Sequence, residues 1–132
     1  MAQRTLPEDD PEIAPFWQAA AEGKLLLKRC DACSKVYYFP RAVCPHCWSR
    51  KTSWIGSPGV GLIHSYTVVH LSPGPGFSVP YVLAYVDLDE GVRMLTNIVN
   101  CPTDGVEIGM PVKVTFEKLQ EKVGVPLFEP AQ

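Results

Sequence analysis

Four of the five cysteines form two Cys-x-x-Cys pairs whose spacing suits a metal ion. Cys30 and Cys33 make the first pair, and Cys44 and Cys47 follow after ten intervening residues. Structural Zn²⁺ takes four soft ligands at the corners of a tetrahedron, and thiolates are its usual partners. A two-residue gap lets one tight turn direct both sulfurs at the same point. The pattern therefore predicts a structural zinc site that leaves no coordination position open for catalysis.

Other uses of these thiols stay open from the sequence. A disulfide or a redox dithiol uses the same spacing, and iron accepts four thiolates as zinc does. The doubled pair favours metal capture over a redox role, which needs an exposed thiol of low pKa. His46 lies between two ligands, but four thiolates already complete a site. Cys101, next to Pro102, is predicted to be a free thiol in a loop.

The composition fits one compact domain or two small ones. Of the 132 residues, 46% are hydrophobic, and thirteen prolines and ten glycines favour short strands and turns over a helical bundle. No apolar run could span a membrane, and the acidic N-terminal stretch lacks the apolar core of a signal peptide. Metal-binding cysteines without an export signal predict a cytoplasmic protein.

Charge is distributed unevenly along the chain. Residues 24–51 carry seven basic side chains and one acidic one, a net +6, whereas the whole chain carries −2 and the remainder therefore −8. A basic metal-binding segment predicts an anionic partner, such as a phosphate group or an acidic protein surface. The alternative is that these cations offset the formal −2 charge of zinc with four thiolates.

The apolar pattern divides the chain into a helical segment (1–23), a zinc ribbon (24–52) and an all-β domain (53–132). Within the ribbon, strands are predicted at Leu25–Lys28 and Lys35–Pro40. The fold class is therefore mainly β: an N-terminal helix, a rubredoxin-like zinc ribbon and a C-terminal barrel.

The first segment has the pattern of a short amphipathic helix. Asp10 is expected to cap it, Pro11 to occupy its first position and Gly23 to end it. A helix of about twelve residues is unstable alone in water. Its Phe16 and Trp17 must therefore be buried, either by the chain's own domain or by a partner protein.

The all-β domain is predicted to contain five strands. Residues 72–80 (SPGPGFSVP) form an exposed loop, and Asp89–Gly91 makes a tight hairpin turn. Five strands with a long first strand suit a small closed barrel, for which the OB-fold is the best-known solution. The strands are placed at Val60–Leu71, Tyr81–Leu88, Val92–Val99, Met110–Glu117 and Val125–Phe128.

No residue is assigned a catalytic role from the sequence. His64, Tyr66 and His70 share a face of the first barrel strand by period two, and a wet outer barrel face or satisfied core histidines are favoured over a polar site. Cys101 has no obvious basic neighbour to activate it as a nucleophile. No glycine-rich phosphate loop of the Walker or Rossmann kind follows a strand.

The order of motifs resembles a known family of zinc-ribbon plus OB-fold proteins, first labelled domain of unknown function 35. The resemblance runs from about residue 16 to 130 and matches all four cysteines. It implies a non-catalytic zinc-binding subunit of an acyl-CoA-processing complex, whose larger partner is a thiolase-fold enzyme or a hot-dog-fold hydratase. The motifs are FW, GKLLLKRC, YYFPR, IHSYTVVH, PYVLAYVDLDEGVR, IGMPVKVTF and LFEP.

The resemblance also implies help in forming or stabilising the coenzyme A site of that partner. Basic ribbon residues are expected to bind the phosphates of coenzyme A, with an aromatic ring on adenine. Partner contacts are expected from the helix and the Pro/Gly loop, at Phe16, Trp17, Pro75 and Phe77. The candidates for coenzyme A contact are Lys24, Lys28, Arg29, Lys35, Tyr37, Phe39 and Arg41.

A single-stranded nucleic-acid-binding module is the alternative function. Zinc ribbons and OB-folds both use basic grooves and stacking aromatics for single strands. The sequence pI of about 5.9 and the acidic barrel segment disfavour this alternative.

Overall fold

The computed structural model describes residues 10–75 and 78–131, and these residues form a mainly β fold, as the sequence predicts. No helix among them is both long and apolar enough to cross a membrane. Helix α1 spans Ala14–Ala21 and is followed by strands β1 (Leu25–Cys30), β2 (Val36–Tyr37), β3 (Thr52–Ser57), β4 (Val60–Val69), β5 (Tyr81–Leu88), β6 (Arg93–Ile98), β7 (Pro111–Gln120) and β8 (Val123–Pro130).

Helix α1 begins later than the sequence predicts. The backbone carbonyl of Asp10 accepts the N–H groups of Ile13 at 3.0 Å and Ala14 at 2.8 Å, which closes a turn ahead of the helix. Pro11 therefore lies in this turn rather than at the first helical position. Gly23, with φ +80°, follows the helix in the left-handed conformation that suits glycine, so the predicted end is confirmed.

The ribbon is a three-stranded antiparallel sheet in the order β2–β1–β3. Strand β3 is absent from the sequence prediction and lies across the expected boundary between residues 52 and 53. The predicted strand Lys35–Pro40 is wrong beyond β2, because the chain bends at Tyr38 and Pro40 has no N–H to donate.

The remaining five strands form a closed barrel in the order β4–β5–β6–β8–β7, with β7 pairing back to β4. This confirms the predicted five-stranded OB-fold barrel. The hairpin turn between β5 and β6 is also as predicted: Gly91 has φ +88° and donates its N–H to the carbonyl of Leu88 at 2.9 Å. Strands β7 and β8 are longer than predicted.

The helix packs against the chain's own barrel. Phe16 is 2% exposed and belongs to one hydrophobic cluster with Leu27 of β1 and Phe128 of β8. Its ring makes edge contacts with Trp17 at 5.0 Å and with Tyr38 of the ribbon at 5.9 Å between centroids. The expectation that Phe16 anchors a partner protein is therefore wrong, because its side chain is buried in the chain's own core.

Gly124 of β8 allows the close approach of α1 to the barrel. A Cβ at this position would lie 2.5 Å from the carbonyl carbon of Ala20 and closer still to the nitrogen of Ala21. Backbone atoms cannot move aside as a flexible side chain can. The helix can therefore pack this close to the barrel only if position 124 is a glycine.

We predict that Gly124→Ala destabilises the protein by roughly 1–3 kcal/mol, because the added methyl group overpacks the contact between helix and barrel. Thermal or denaturant unfolding measures the change. Gly56→Ala is the matched control, since a Cβ at Gly56 in β3 meets nothing within 4 Å. Equal stability of the two variants would show that the helix is not held at this distance.

Candidate metal centre

The four paired cysteines converge on one point. Their sulfurs all lie within 4.8 Å of one another, with Sγ–Sγ distances of 3.5 Å for Cys30 and Cys47 and 3.7 Å for Cys33 and Cys44. A tetrahedral zinc site with bonds of about 2.3 Å has edges of about 3.8 Å between its sulfurs, which matches these distances. The cysteines are all free thiols. The residues present therefore fit a four-thiolate metal site, and His46 is not part of the cluster.

Two knuckles of the same local structure place these sulfurs. In the first, the carbonyl of Cys30 accepts the N–H of Ser34 at 2.8 Å, and in the second the carbonyl of Cys44 accepts the N–H of Trp48 at 3.0 Å. Ser34 has φ +64° and Trp48 has φ +68°, so each turn closes through a left-handed residue one position after its second cysteine. The repeated turn explains how the sequence spacing fixes the direction of both sulfurs.

The electrostatics of the cluster favour a bound cation. The N–H of Cys33 donates to Sγ of Cys30 at 3.4 Å and lowers the pKa of Cys30 to about 7. The backbone of Ser49 favours the thiolate of Cys47, but the neighbouring sulfurs outweigh it and raise the pKa of Cys47 to about 12. Four thiolates this close repel one another, and a divalent cation removes that repulsion.

The knuckles have little other core. Their buried cluster consists of Cys30, Tyr37 and Cys44, with Cys33 packed against it. Tyr37 is 6% exposed and donates its hydroxyl to the carbonyl of Arg41 at 2.7 Å. Two of the three buried residues belong to the cysteine cluster that could hold a metal, and a bound metal would supply the stability that apolar burial cannot.

Several residues predicted to contact coenzyme A lie where they cannot do so. Lys28 is 8% exposed, donates to Oγ1 of Thr52 at 3.3 Å and lies 4.5 Å from the ring centroid of Trp54. Tyr37 is buried as described above. The structure thus corrects both predictions, because these side chains fill the ribbon interior. The other candidates are exposed: Lys24, Arg29, Lys35, Phe39 and Arg41.

The residues predicted to contact a partner are also dispersed. Phe16 is internal, Trp17 is half-buried beside it, and Pro75 is exposed in the loop after β4. Phe77 lies outside the described residues.

The ribbon surface carries a groove of about 480 Å³ that is absent from the sequence prediction. Its walls include Phe39, which is 48% exposed, and Trp48, which is 79% exposed. Arg41 also lines it, with Asp10 and Glu12. The sequence signal for this site is a tryptophan directly after the second knuckle, at the position that Ser34 occupies in the first.

The outer barrel face holds a neutralised polar cluster rather than a catalytic one. Arg93 donates from Nε to Oδ1 of Asp87 at 2.6 Å, and Nδ1 of His64 lies 3.2 Å from Oδ2. Arg93 thereby lowers the pKa of Asp87. His64 is exposed, as favoured from the sequence, but a β-bulge between Ile63 and Ser65 interrupts the period-two pattern. The predicted shared face with Tyr66 is therefore wrong.

Two family models match consecutive parts of the chain. Residues 17–53 match the rubredoxin-like zinc ribbon domain of ChsH2, and residues 54–117 match the C-terminal OB-fold domain of ChsH2. A solved chain described as the Ltp2-ChsH2(DUF35) aldolase superposes with a TM-score of 0.85 and 37% identity, covering 96% of this chain and 99% of that one.

The curated relatives are named either as scaffold proteins or as subunits of enzymes. A DUF35 domain-containing scaffold protein from Methanocaldococcus jannaschii is 36% identical over 85% of this chain and 82% of its own length. A probable enoyl-CoA hydratase alpha subunit from Thermomonospora curvata is 38% identical over 98% of this chain, which spans only 41% of that protein. A benzoylsuccinyl-CoA thiolase subunit, BbsA, from Geobacter metallireducens is 28% identical over 73% of this chain and 69% of its own length.

We predict that the purified chain holds one Zn²⁺ and that Cys44→Ser loses it, with the knuckles unfolding while the barrel persists. Metal analysis and amide NMR spectra measure the two effects. Cys101→Ser is the control, because this thiol lies apart from the cluster and should leave the metal content unchanged. A metal-free variant whose knuckle amides keep their native shifts would contradict a structural role for the metal.

Proposed function

Because the chain belongs to the DUF35 family of zinc-ribbon and OB-fold proteins, we propose that it is a non-catalytic zinc-bearing subunit of an acyl-CoA-processing complex. The single observation that carries this proposal is the metal centre. Its four sulfurs would fill all four coordination sites of a tetrahedrally coordinated ion. Such a centre organises a surface and does not activate a substrate. The polar cluster on the barrel, His64 with Asp87 and Arg93, is internally neutralised and lacks a nucleophile.

A thiolase-type enzyme is the partner that the relatives support best. The BbsA thiolase subunit matches over 69% of its own length, whereas the hydratase alpha subunit extends far beyond the match. The chain of the Ltp2-ChsH2(DUF35) aldolase matches over 99% of its own length, so an aldolase is a further kind of enzyme with such a subunit. A hot-dog-fold hydratase is the second candidate because of that hydratase relative. In either complex the larger subunit supplies the catalytic residues.

Purification of the tagged chain from its native cells tests this proposal. We expect a stoichiometric thiolase-type subunit, one zinc per chain and no nucleic acid, as read by native mass spectrometry and absorbance. A chain that purifies alone, or with RNA or DNA, would overturn the subunit proposal.

Within that complex, exposed ribbon cations are proposed to reach the phosphates of coenzyme A. Arg29 of β1 and Lys35 before β2 are both exposed, and Arg29 pairs with Val36, the residue that directly follows Lys35. Arg41 is exposed too, but it shares its groove with Asp10 and Glu12. Because carboxylates repel phosphates, Arg29 and Lys35 are better placed than Arg41.

We predict that the double change Arg29→Ala and Lys35→Ala weakens coenzyme A binding by the complex about tenfold, through the loss of charge-assisted hydrogen bonds. Calorimetry on the intact complex measures the affinity, and zinc analysis checks the ribbon. Lys113→Ala, on the barrel, is the charge control. Equal affinity of the double variant and the control would place the coenzyme A site entirely on the enzyme subunit.

Nucleic-acid binding receives little support from the barrel. Tyr66 and Tyr85 are exposed and line one small groove, which would suit base stacking. The described residues that line this groove include no cation, and Arg93 of β6 is engaged by Asp87. A groove lined in this way does not attract a polyanionic strand.

A further inference from the structure

The aromatic groove on the ribbon is not explained by the zinc site or by a coenzyme A site. Trp48 and Phe39 are 79% and 48% exposed, and both line this cavity of about 480 Å³. Large apolar side chains exposed singly are common on protein surfaces, but two in one groove mark an interaction site. Prolines at positions 40 and 45 form part of the same wall and stiffen it.

The two knuckles provide an internal comparison for Trp48. Ser34 occupies the equivalent position of the first knuckle, with nearly the same φ and the same hydrogen bond back to the first cysteine. A bulky side chain is uncommon at positive φ. The knuckle therefore has no need of an aromatic residue at this position, and folding gives no reason for the tryptophan of the second knuckle.

Phe39 is supported from beneath by the main core. Its ring contacts Tyr38 edge-on at 6.0 Å between centroids, and Tyr38 in turn contacts Phe16, a buried residue of α1. An exposed ring held in this way loses little freedom when it is covered. Such preorganisation lowers the entropic cost of binding a partner.

The charges around the groove select the kind of partner. Asp10 and Glu12 lie in its wall, so phosphate-rich ligands such as coenzyme A or a nucleic acid are repelled. Arg41 lines the groove, and Arg50 and Lys51 are exposed just beyond Trp48 in the sequence. A protein surface that complements this wall carries an apolar side chain with a basic residue toward Asp10 and Glu12 and an acidic residue toward Arg41.

We propose that Trp48 and Phe39 form the site where the larger enzyme subunit docks, through an apolar segment with one basic and one acidic flank. This inference rests on the proposed function and adds the surface by which the subunits meet. Tryptophan and arginine are the residue types that most often dominate protein interfaces. The metal centre then has a direct use, since Phe39 and Arg41 lie between its two ligand pairs and Trp48 directly follows the last one.

Trp48→Ser tests the docking site, because it installs the residue that the first knuckle already tolerates. We expect binding to the enzyme subunit that copurifies with the wild-type chain to weaken at least about 30-fold, as for an interface hot spot. Zinc content and melting temperature should stay at wild-type values. Ile108→Ser is the matched control: Ile108 is 70% exposed in the turn before β7, and its loss should leave the affinity unchanged.

The outcomes separate the two proposals. If the wild-type chain binds the enzyme subunit and Trp48→Ser binds equally well, the docking site is overturned while the subunit function stands. If the wild-type chain binds no enzyme subunit, the proposed function fails and the docking site with it. Should Trp48→Ser lose zinc, Phe39→Ser replaces it, since Phe39 lies outside both knuckles, and undiminished binding by that variant overturns the docking site.

Discussion

The two knuckles of the ribbon depend on the metal ion that their four cysteines are arranged to hold. The buried cluster beside these cysteines contains Cys30, Tyr37 and Cys44, which is little apolar surface to hold two turns together. Structural zinc in such sites contributes an apparent binding free energy of about 10–16 kcal/mol, and this is folding free energy. The metal centre therefore positions the two knuckles, including Trp48 in the wall of the groove.

Aromatic contacts connect the ribbon to the rest of the chain. Trp17, Phe16, Tyr38 and Phe39 touch in series, so that the helix, the barrel core and the ribbon surface are joined through ring edges. Leu27 of β1 belongs to the same core as the barrel strands, which anchors the ribbon from its other end. The ribbon is thus packed against the helix and the barrel.

Local spacing carries most of what the sequence could predict. The cysteine pairs specify their own turns, and the alternating pattern of Tyr81–Leu88 gives β5 with its observed bounds. Strand β3 was missed because TSWIGS does not alternate and contains Gly56. The bulge near His64 was missed for a similar reason, since an extra residue in one strand leaves no mark in the pattern of polar and apolar types.

Burial was harder to predict than secondary structure. Phe16 and Phe39 are both aromatic residues in short segments, yet one is 2% exposed and the other 48%. The difference arises from packing between segments distant in sequence, which residue types alone do not reveal. The same holds for Lys28, whose charge predicts a ligand contact although its side chain lies against Trp54 and Thr52.

Hydrogen exchange of the zinc-loaded chain, free and bound to its enzyme subunit, tests most directly whether the ribbon is the surface that meets the enzyme. If the ribbon meets the enzyme, we expect amide exchange at residues 39–50 to slow on complex formation. Exchange in barrel strands β4 and β5 should stay unchanged. Slower exchange confined to β4 and β5, where Tyr66 and Tyr85 are exposed, would contradict it and place the interface on the barrel.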